Sequence, residues 1–279
     1  MGKIFDALEK HGAQKPEIGS LKGYKNVAAK ADEGTSNVVM IGNSNKIESH
    51  FSMHDKLVAY HHPDSVEAEI FKVLRTNLLF PSGGKPPRKI LVTSALPGDG
   101  KSFVAANLAI SIAKGIEEYV MLIDCDMRRP TIHSLFGYGQ VSGLREHLSS
   151  GMDISKILLK SPIPKLSILP AGHPPQNPTE LLSSKRMKIF IDEAAERYDD
   201  RFLIIDSPPP SVAAETNAMA KLVDGVIVVV AAGKTPKNIV NETIEQIGKE
   251  NIIGIVLNYS EQALKRYYGY NKSYYEAKA

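Results

Sequence analysis

The chain of 279 residues lacks three features that would each indicate a different class of protein. Its only cysteine is Cys125, which excludes an internal disulfide and a thiolate metal cluster and fits a reducing cytoplasm. Its longest apolar stretch, Gly225 to Gly233, is too short to span a bilayer and indicates a buried strand. The start MGKIFDALEK has charges where a signal peptide needs an apolar core. We therefore expect a cytoplasmic protein without direct membrane insertion.

The chain also has no strong excess of charge of either sign. Its 34 basic and 31 acidic residues are mixed along the sequence and give a formal net charge of +3. No global field therefore predicts binding to nucleic acid or to anionic lipid. We expect no nucleic-acid partner, and any other partner has to be argued from local sequence.

The sequence before residue 61 is poor in core-forming patterns. From about Gly12 to Asp55 it is rich in Gly, Lys, Asn and Ser and has no sustained period, which is typical of a linker. Ahead of it lies a short amphipathic segment that is marginal as an isolated helix and is expected to dock on something. The predicted organisation is a short helix at 1–10, a flexible linker at 11–60, a folded domain at 61–260 and a tail at 261–279.

A longer helix is predicted from about Ser65 to Leu79. Its apolar stripe is formed by Val66, Ile70, Val73 and Leu74. Beyond a break at Pro81 to Arg88, short β-branched runs alternate with helical stretches. The predicted strands are KILVTSA, VMLID, LSILPAG, FLIID, GVIVVVAA and IIGIVLN. This alternation predicts an α/β fold in which a parallel sheet lies between helices, with ligands at the carboxyl ends of the strands.

One turn in this pattern has the composition of a phosphate-binding loop. The segment ALPGDGKS at residues 95–102 follows the predicted strand Lys89–Ser94 and opens a predicted helix at Ser102–Lys114. A strand before the loop and a helix after it are the context that a Walker A motif requires, and they disfavour an accidental glycine-rich turn. The first position is Ala95 where the motif has Gly. The predicted fold is therefore P-loop NTPase-like, with a flexible N-terminal extension and a tyrosine-rich C-terminal tail.

Each loop position has a chemical reason. Gly98 and Gly100 let backbone N–H groups turn toward phosphates at a helix N-terminus. Lys101 is placed to reach the β- and γ-phosphates, and the Ser102 hydroxyl is placed to bind Mg²⁺. The expected cofactors are ATP and Mg²⁺. The residues predicted to bind the nucleotide here are Pro97, Gly98, Asp99, Gly100, Lys101, Ser102 and Phe103.

Two apolar strands then end in carboxylates. VMLIDCDMRRP presents Asp124 and Asp126, and FLIIDSPPP presents Asp206. A lone aspartate at a strand end is more often a helix cap or turn residue. Three of them on two strands, downstream of a phosphate-binding loop, instead favour a magnesium nucleotide site.

The set ALPGDGKS, LIDCDMRRP and LIIDSPPP resembles the bacterial tyrosine kinases of polysaccharide export, which use Walker A, A′ and B motifs. The similarity covers roughly residues 65–275 and includes RRPTIHSLFG, GLREHL, LPAGHPPQNPTELL and YDDRFLIIDSPP. The resemblance implies that the aspartates coordinate Mg²⁺ and position or deprotonate the attacking tyrosine; which one is the base stays open. The implied catalytic residues are Lys101, Asp124, Asp126 and Asp206, and the implied metal ligands are Ser102, Asp124 and Asp206.

The tail contains a cluster of tyrosines. Between residues 267 and 275 five of nine residues are Tyr, against 11 in the whole chain. An aromatic packing segment is the general alternative. The family's C-terminal tyrosine cluster is the better match beside an ATP site, and it implies phosphorylation by a neighbouring copy. The implied phosphoacceptors are Tyr267, Tyr268, Tyr270, Tyr274 and Tyr275.

The resemblance also implies partners. The family assembles into transient ring-like oligomers, uses a separate or fused transmembrane activator, and regulates the polymerisation and export of exopolysaccharide or capsule. A separate activator would recruit this chain to the inner face of the membrane. Glu69, Lys72 and Arg75 match the family's Glu-x-x-Arg-x-x-Arg subunit contact, except that Lys72 replaces an Arg and lacks its planar fork. A solvated charged face is the alternative.

Two other functions stay open. A localisation switch of the Min/Par type shares the Walker A motif, but those ATPases resemble one another in a lysine where this chain has Leu96. A nucleotide-bound scaffold that no longer transfers phosphate would have the same motifs. Asn258, in the run IVLN at the end of the last predicted strand, is a candidate contact for adenine, although a turn role is common for such an Asn. His61, His62 and His133 lack partners at ligand spacing and are expected to be structural or exposed.

Overall fold

The computed structural model describes residues 53–196 and 200–260. The predicted helix at 1–10, most of the predicted linker and the tail at 261–279 lie outside the described residues. The helices are α1 (Val58–His61), α2 (Val66–Leu79), α3 (Lys101–Ala113), α4 (Ile132–Leu135), α5 (Leu144–Ser150), α6 (Pro178–Leu182), α7 (Lys185–Glu196), α8 (Glu215–Ala220) and α9 (Lys237–Ile247), with short 3₁₀ turns at Ile154–Lys156 and Lys249–Asn251. The strands are β1 (Lys89–Ser94), β2 (Tyr119–Asp124), β3 (Leu159–Lys160), β4 (Leu166–Leu169), β5 (Arg201–Asp206), β6 (Gly225–Ala231) and β7 (Ile252–Asn258).

The seven strands form one sheet in the order β3-β4-β2-β5-β1-β6-β7. All neighbours run parallel except the β3–β4 pair. The predicted parallel sheet between helices is confirmed, and the six predicted strands correspond to six of the seven observed. The strand that the sequence missed, β3, has only two residues and therefore no periodic signal.

The inner strands β1, β2, β5 and β6 are buried on both faces, which explains their continuous apolar sequences. On β1, Leu91 belongs to the core on one face, while Ile90 and Val92 belong to the core on the other. Helix α3 lies in this second core, and every residue from Val104 to Ala113 is buried. The loop between β1 and α3 is thereby held at the carboxyl edge of the sheet, at the end of a fully packed helix.

The predicted linker boundary at residue 60 is wrong. Met53, Leu57 and Ala59 are buried in the core that contains α3. The Ala59 N–H donates to Oδ1 of the buried Asn107 over 2.9 Å. These few apolar residues are scattered among polar ones, so their burial depends on a contact with α3 that the local composition does not indicate.

The predicted apolar stripe of the second helix is also wrong in part. Ser65 caps α2 by accepting a hydrogen bond from the Ala68 N–H, as its position before the helix predicts. The buried residues are Ala68, Phe71 and Leu78. Of the four predicted stripe residues, Val66 and Leu74 are half-buried, whereas Ile70 and Val73 are exposed. The helix is rotated so that its aromatic Phe71 packs on α3, which leaves two large apolar side chains in solvent.

Candidate functional site

The phosphate-binding loop connects β1 to α3 and is held by its own carboxylate. Gly98 and Gly100 have positive φ angles of +93° and +96°, a conformation that glycine adopts without steric cost. The carboxylate of Asp99 is buried, where it accepts hydrogen bonds from the Leu96 N–H at 2.9 Å and from the Thr235 hydroxyl at 2.8 Å. Asp99 therefore fixes the loop from inside, whereas the backbone N–H groups are what the loop offers to a phosphate.

Lys101 lies among the predicted carboxylates. Its Nζ is 2.8 Å from Asp126 Oδ2 and 3.8 Å from Asp206 Oδ2, and it donates to Ser102 Oγ over 3.1 Å. Burial opposes the charge on Lys101, but the attraction of Asp206 and Asp126 outweighs it and raises the pKa of the ammonium group. The lysine is therefore charged, and it has to leave these carboxylates to reach the phosphates of a nucleotide.

Asp206 ends β5 and faces the helix that follows the loop. The Ser102 hydroxyl donates to Asp206 Oδ2 over 2.5 Å. Burial raises the pKa of Asp206 to about 6 against the opposing influence of Lys101 and Ser102. Within the part of the chain that the structure describes, the buried Asp206 Oδ1 has no hydrogen-bond partner. A carboxylate oxygen left without a partner beside a serine hydroxyl fits the pair of oxygen ligands that Mg²⁺ takes from a P-loop protein.

Asp124 is the neighbour of Asp206 across the sheet, because the two residues are in register on β2 and β5. Its Oδ1 accepts from the Asp126 N–H, and its Oδ2 accepts from the N–H groups of Thr131 and Ile132, all between 3.0 and 3.1 Å. Burial and the nearby Asp206 raise the pKa of Asp124 well above its ordinary value. Through these hydrogen bonds Asp124 organises the loop that carries Asp126. Its role as a metal ligand stays a prediction.

The three aspartates do not form a closed metal cage. Across residues 53–196 and 200–260, no three His, Cys, Asp or Glu side chains are arranged to hold an ion by themselves. A nucleotide-bound Mg²⁺ needs fewer protein ligands, because phosphate oxygens and water supply the rest of its coordination shell.

Other predicted nucleotide contacts lie around the same loop. Asn258, at the end of β7, donates its amide to the Asp99 carbonyl over 2.9 Å. Pro97 is exposed, whereas Phe103 is half-buried with its ring 5.7 Å from that of Phe71. The Asn258 side chain thus touches the loop backbone, and the Phe103 ring is directed into the protein, which leaves its backbone for a nucleotide.

The charged residues of α2 make contacts within the chain. Lys72 pairs with Glu69 over 2.9 Å, and both side chains are exposed. Arg75 donates to the Ser111 carbonyl in α3 over 2.9 Å and is half-buried. Arg75 therefore helps to fix α2 on α3, which the sequence did not predict, and a role for the three residues between subunits stays a proposal.

The sequence analysis missed a further buried carboxylate near the site. Glu215 begins α8, and its side chain is almost fully buried. It accepts from Arg128 Nε over 2.9 Å and from the Thr179 hydroxyl over 2.8 Å. Burial opposes its charge, but the hydrogen bond from Arg128 outweighs this and lowers the pKa of Glu215. The contact links the loop after β2, the start of α6 and the segment after Asp206, and no motif spacing announces it.

Replacement of Gly100 by alanine tests the loop geometry. A Cβ atom on Gly100 would lie 2.1 Å from Asn258 Nδ2, at a φ of +96° that L side chains rarely adopt. We expect Gly100→Ala to lower the free energy of unfolding by roughly 1 to 3 kcal/mol, and to weaken binding of a fluorescent ADP analogue.

Two glycines serve as controls for this variant. Gly98→Ala places alanine at a similar positive φ of +93°, but a Cβ atom there lies in open space. Gly139→Ala has neither a positive φ nor a close neighbour. Denaturant unfolding should rank them with Gly100→Ala the least stable and Gly139→Ala unchanged. Equal stability of all three variants would contradict the described loop.

Comparisons with known proteins agree with this geometry. A family model described as ParA: NUBPL iron-transfer P-loop NTPase matches residues 86–276. The chain is 34% identical over 220 residues to the tyrosine-protein kinase YwqD of Bacillus subtilis, and this covers 78% of the chain and 92% of the relative. It is also 34% identical to the putative tyrosine-protein kinase EpsB of Ralstonia solanacearum, over 78% of the chain but only 29% of that longer relative.

Solved structures give the same result. The kinase domain of the Escherichia coli tyrosine kinase ETK matches with a TM-score of 0.69 and 27% identity, over 77% of this chain and 84% of that one. The chimerical protein CapA2B2 matches with a TM-score of 0.68 and 30% identity, over 75% of this chain and 92% of that one. A septum site-determining protein MinD of Pyrococcus horikoshii, at 19% identity and a TM-score of 0.50, shows the shared fold alone.

The sheet, the loop and the family match define a nucleotide-binding P-loop protein of the ParA-like class. Within that class, the chain belongs to the bacterial tyrosine-protein kinases. The resemblance drawn from the motifs is confirmed, and the Min/Par-type alternative is the less supported one. Within the described residues, no helix is both long enough and apolar enough to cross a membrane.

Proposed function

We propose that this chain is an ATP-dependent protein tyrosine kinase that phosphorylates the tail tyrosines of a neighbouring copy. The observation that carries the proposal is the convergence of Lys101, Ser102, Asp126 and Asp206 at the carboxyl edge of the sheet, beside a phosphate-binding loop. Membership of the tyrosine kinase family supports the choice of tyrosine as the acceptor. The five tyrosines at 267–275 lie outside the described residues.

The proposed roles follow from the contacts. The loop N–H groups bind the β-phosphate, and Lys101 leaves Asp126 to bind the β- and γ-phosphates. Ser102 and Asp206 hold Mg²⁺, which offsets the charge of the phosphates when it is bound. A tyrosine oxygen forms the new bond to the γ-phosphorus, the bond to the ADP oxygen breaks, and the phenol proton passes to a carboxylate. Asp126 is our candidate base, because its Oδ2 is released when Lys101 moves.

The tail is suited to reach another subunit. It starts about twenty residues before the end of the chain and spans roughly 65 Å when extended. Each phosphate adds about −1.5 to −2 charges, so that five would reverse the formal net charge of +3. A tail of this charge is repelled by a site that contains Asp124, Asp126 and Asp206. Phosphorylation would therefore release the tail and dissolve a transient, ring-like oligomer.

Mixing two variants, one without a working site and one without acceptor tyrosines, tests transfer between copies. Lys101→Met removes the phosphate-binding lysine but keeps all tail tyrosines, and a variant with Phe at all five tail positions keeps the site but has no acceptor there. Incubation of both with Mg-ATP should place phosphotyrosine on the tail of the Lys101→Met chain, as read by mass spectrometry. Modification that requires both functions in one chain would instead indicate transfer within a subunit.

The exposed apolar residues of α2 support an oligomer. Ile70, Val73 and Phe80 are 40%, 51% and 74% exposed. Their spacing of three and seven residues places them on one side of α2 and its C-terminal end, next to Glu69 and Lys72. Large apolar side chains grouped in this way on the surface of a soluble domain are typical of a protein contact.

A double substitution on this surface tests the contact. We expect Ile70→Glu with Val73→Glu to shift the chain toward monomer in analytical ultracentrifugation and to slow tail phosphorylation roughly tenfold or more, because charge is introduced into a desolvated contact. ATP binding should be unchanged. Ile189→Glu is the matched control, since Ile189 is 45% exposed on α7, which packs on the other face of the sheet from α2. An unaltered oligomer in the double variant would remove α2 from the interface.

We further propose that a separate transmembrane activator recruits the chain to the inner face of the membrane and that the phosphorylation cycle regulates exopolysaccharide or capsule polymerisation and export. Support comes from the relatives, because EpsB is a longer chain of which the match covers 29%, whereas YwqD is matched over 92%. Residues 1–10, outside the described part, are the proposed docking element. Their deletion should abolish membrane recruitment in cells, and unchanged recruitment would contradict that role.

A further inference from the structure

One face of the edge strand β7 is uncovered. Ile255 and Leu257 are 52% and 58% exposed, and their register with Val228 and Val230 of β6 places the two pairs on the same face of the sheet. Val228 and Val230 are buried in the core on that face. Strands in parallel sheets are normally covered on both faces. The apolar stripe formed by Ile255 and Leu257 therefore lacks the cover that its neighbours on β6 have.

The chain turns as it leaves this strand. Tyr259 has a φ of +59°, in the left-handed region that ends extended structure, and its N–H donates to Asn258 Oδ1 over 2.9 Å. The Lys234 ammonium lies 5.2 Å from the centre of the Tyr259 ring, a cation–π contact that fixes the exit. The next residue, Ser260, is the last one that the structure describes, two positions after the end of β7.

We propose that, before phosphorylation, residues 261–279 dock on the apolar stripe of β7 in their own subunit. Two features of the chain and one general argument favour this occupant. The segment is tethered at the end of β7, and a short tether raises its local concentration to about the millimolar range. It carries five tyrosines as well as Leu264, whose apolar surfaces suit Ile255 and Leu257. A free partner, in contrast, loses translational freedom when it binds so small a surface.

The docked state has a consequence for the kinase. Leu257 lies near the carboxyl edge of the sheet and Ile255 lies farther from it, so a tail along the stripe leads the tyrosines away from the subunit's own loop. If the proposed tyrosine transfer holds, on which this consequence rests, docking protects the tyrosines from their own site. Phosphates on the tail are incompatible with an apolar surface, so modified tails cannot return to it.

Limited proteolysis tests the docking without phosphate transfer. The full chain with Lys101→Met, unphosphorylated, is digested with trypsin, and the cleavage is followed by intact mass spectrometry. Trypsin cuts the tail after Lys265, Arg266, Lys272 and Lys278. Adding Ile255→Thr and Leu257→Thr should speed tail cleavage roughly threefold or more, equally at every protein concentration. Adding Ile116→Thr and Ile189→Thr, on exposed sites elsewhere, should leave the rate unchanged.

A second variant tests the docking even if the stripe substitutions destabilise the fold. Glu at all five tail tyrosines leaves β7 intact and should speed cleavage to the same degree, and combination with the stripe variant should add nothing further. Equal rates in all chains would overturn the docking, as would protection that grows with protein concentration, which would indicate a second copy. Because the assay contains no ATP, a chain without kinase activity can still show docking, and an active kinase can still fail this test.

Discussion

Asp206→Asn is expected to abolish phosphate transfer and, at the same time, to stabilise the magnesium-free protein. The loss should be roughly a hundredfold or more, because the proposed metal ligand is replaced by a neutral amide. The gain in stability follows from burial, which raises the pKa of Asp206 from 3.8 to about 6. At neutral pH the charged carboxylate therefore destabilises the fold by roughly 3 kcal/mol, and an amide of the same shape removes that cost.

The sign of the pH dependence distinguishes this account from simple damage to the fold. A folded-state pKa above the unfolded value means that the native protein binds more protons, so its free energy of unfolding falls as the pH rises from about 4 to about 6. Unfolding in EDTA should show this fall in the parent chain. Asp206→Asn should reduce this fall in the free energy of unfolding. Part of the fall should remain, because the pKa of Asp124 is raised in the same direction. An exposed control, Asp64→Asn, should retain the full fall, and a destabilised Asp206→Asn protein would contradict the account.

Lys101→Met is expected to have the opposite effect on stability and the same effect on activity. Loss of the lysine should slow phosphate transfer roughly a hundredfold to a thousandfold. It also removes the cation that lies 2.8 Å from Asp126 and 3.8 Å from Asp206. Two buried carboxylates then lose their cationic partner, which should cost roughly 2 to 4 kcal/mol of stability at neutral pH without metal.

Added Mg²⁺ should return part of that stability, since the metal replaces the missing positive charge. Lys188→Met, on the exposed side of α7, serves as the matched control and should change neither activity nor stability. Thermal unfolding with EDTA and with Mg²⁺ gives both values. A Lys101→Met protein as stable as the parent in EDTA would mean that the lysine does not balance the carboxylates.

The parts of this molecule that the sequence predicted are those governed by local patterns. The inner strands are continuous apolar runs because both of their faces are buried, and strand ends bring Asp124 and Asp206 together because parallel neighbours share one edge. The loop at residues 95–102 was predictable because a strand, two glycines and a helix occur in the required order. The resemblance to the tyrosine kinases was carried by whole motifs and was confirmed.

The parts that the sequence missed depend on contacts between distant segments. The rotation of α2 is decided by Phe71 packing on Phe103, so the periodic stripe with Ile70 was assigned to the wrong face. Leu57 is buried through α3, although its neighbours have the composition of a linker. The pairing of Glu215 with Arg128 joins residues 87 positions apart, and no local pattern encodes it.

The central claim is that the γ-phosphate of ATP is transferred to the tail tyrosines. The most direct test incubates the purified chain with Mg-ATP, with and without a candidate activator, and maps phosphotyrosine by mass spectrometry beside a Lys101→Met control. The account predicts phosphate on Tyr267, Tyr268, Tyr270, Tyr274 and Tyr275 of the parent chain and an unmodified tail in the control. ATP turnover with an unmodified tail in the parent chain would contradict it.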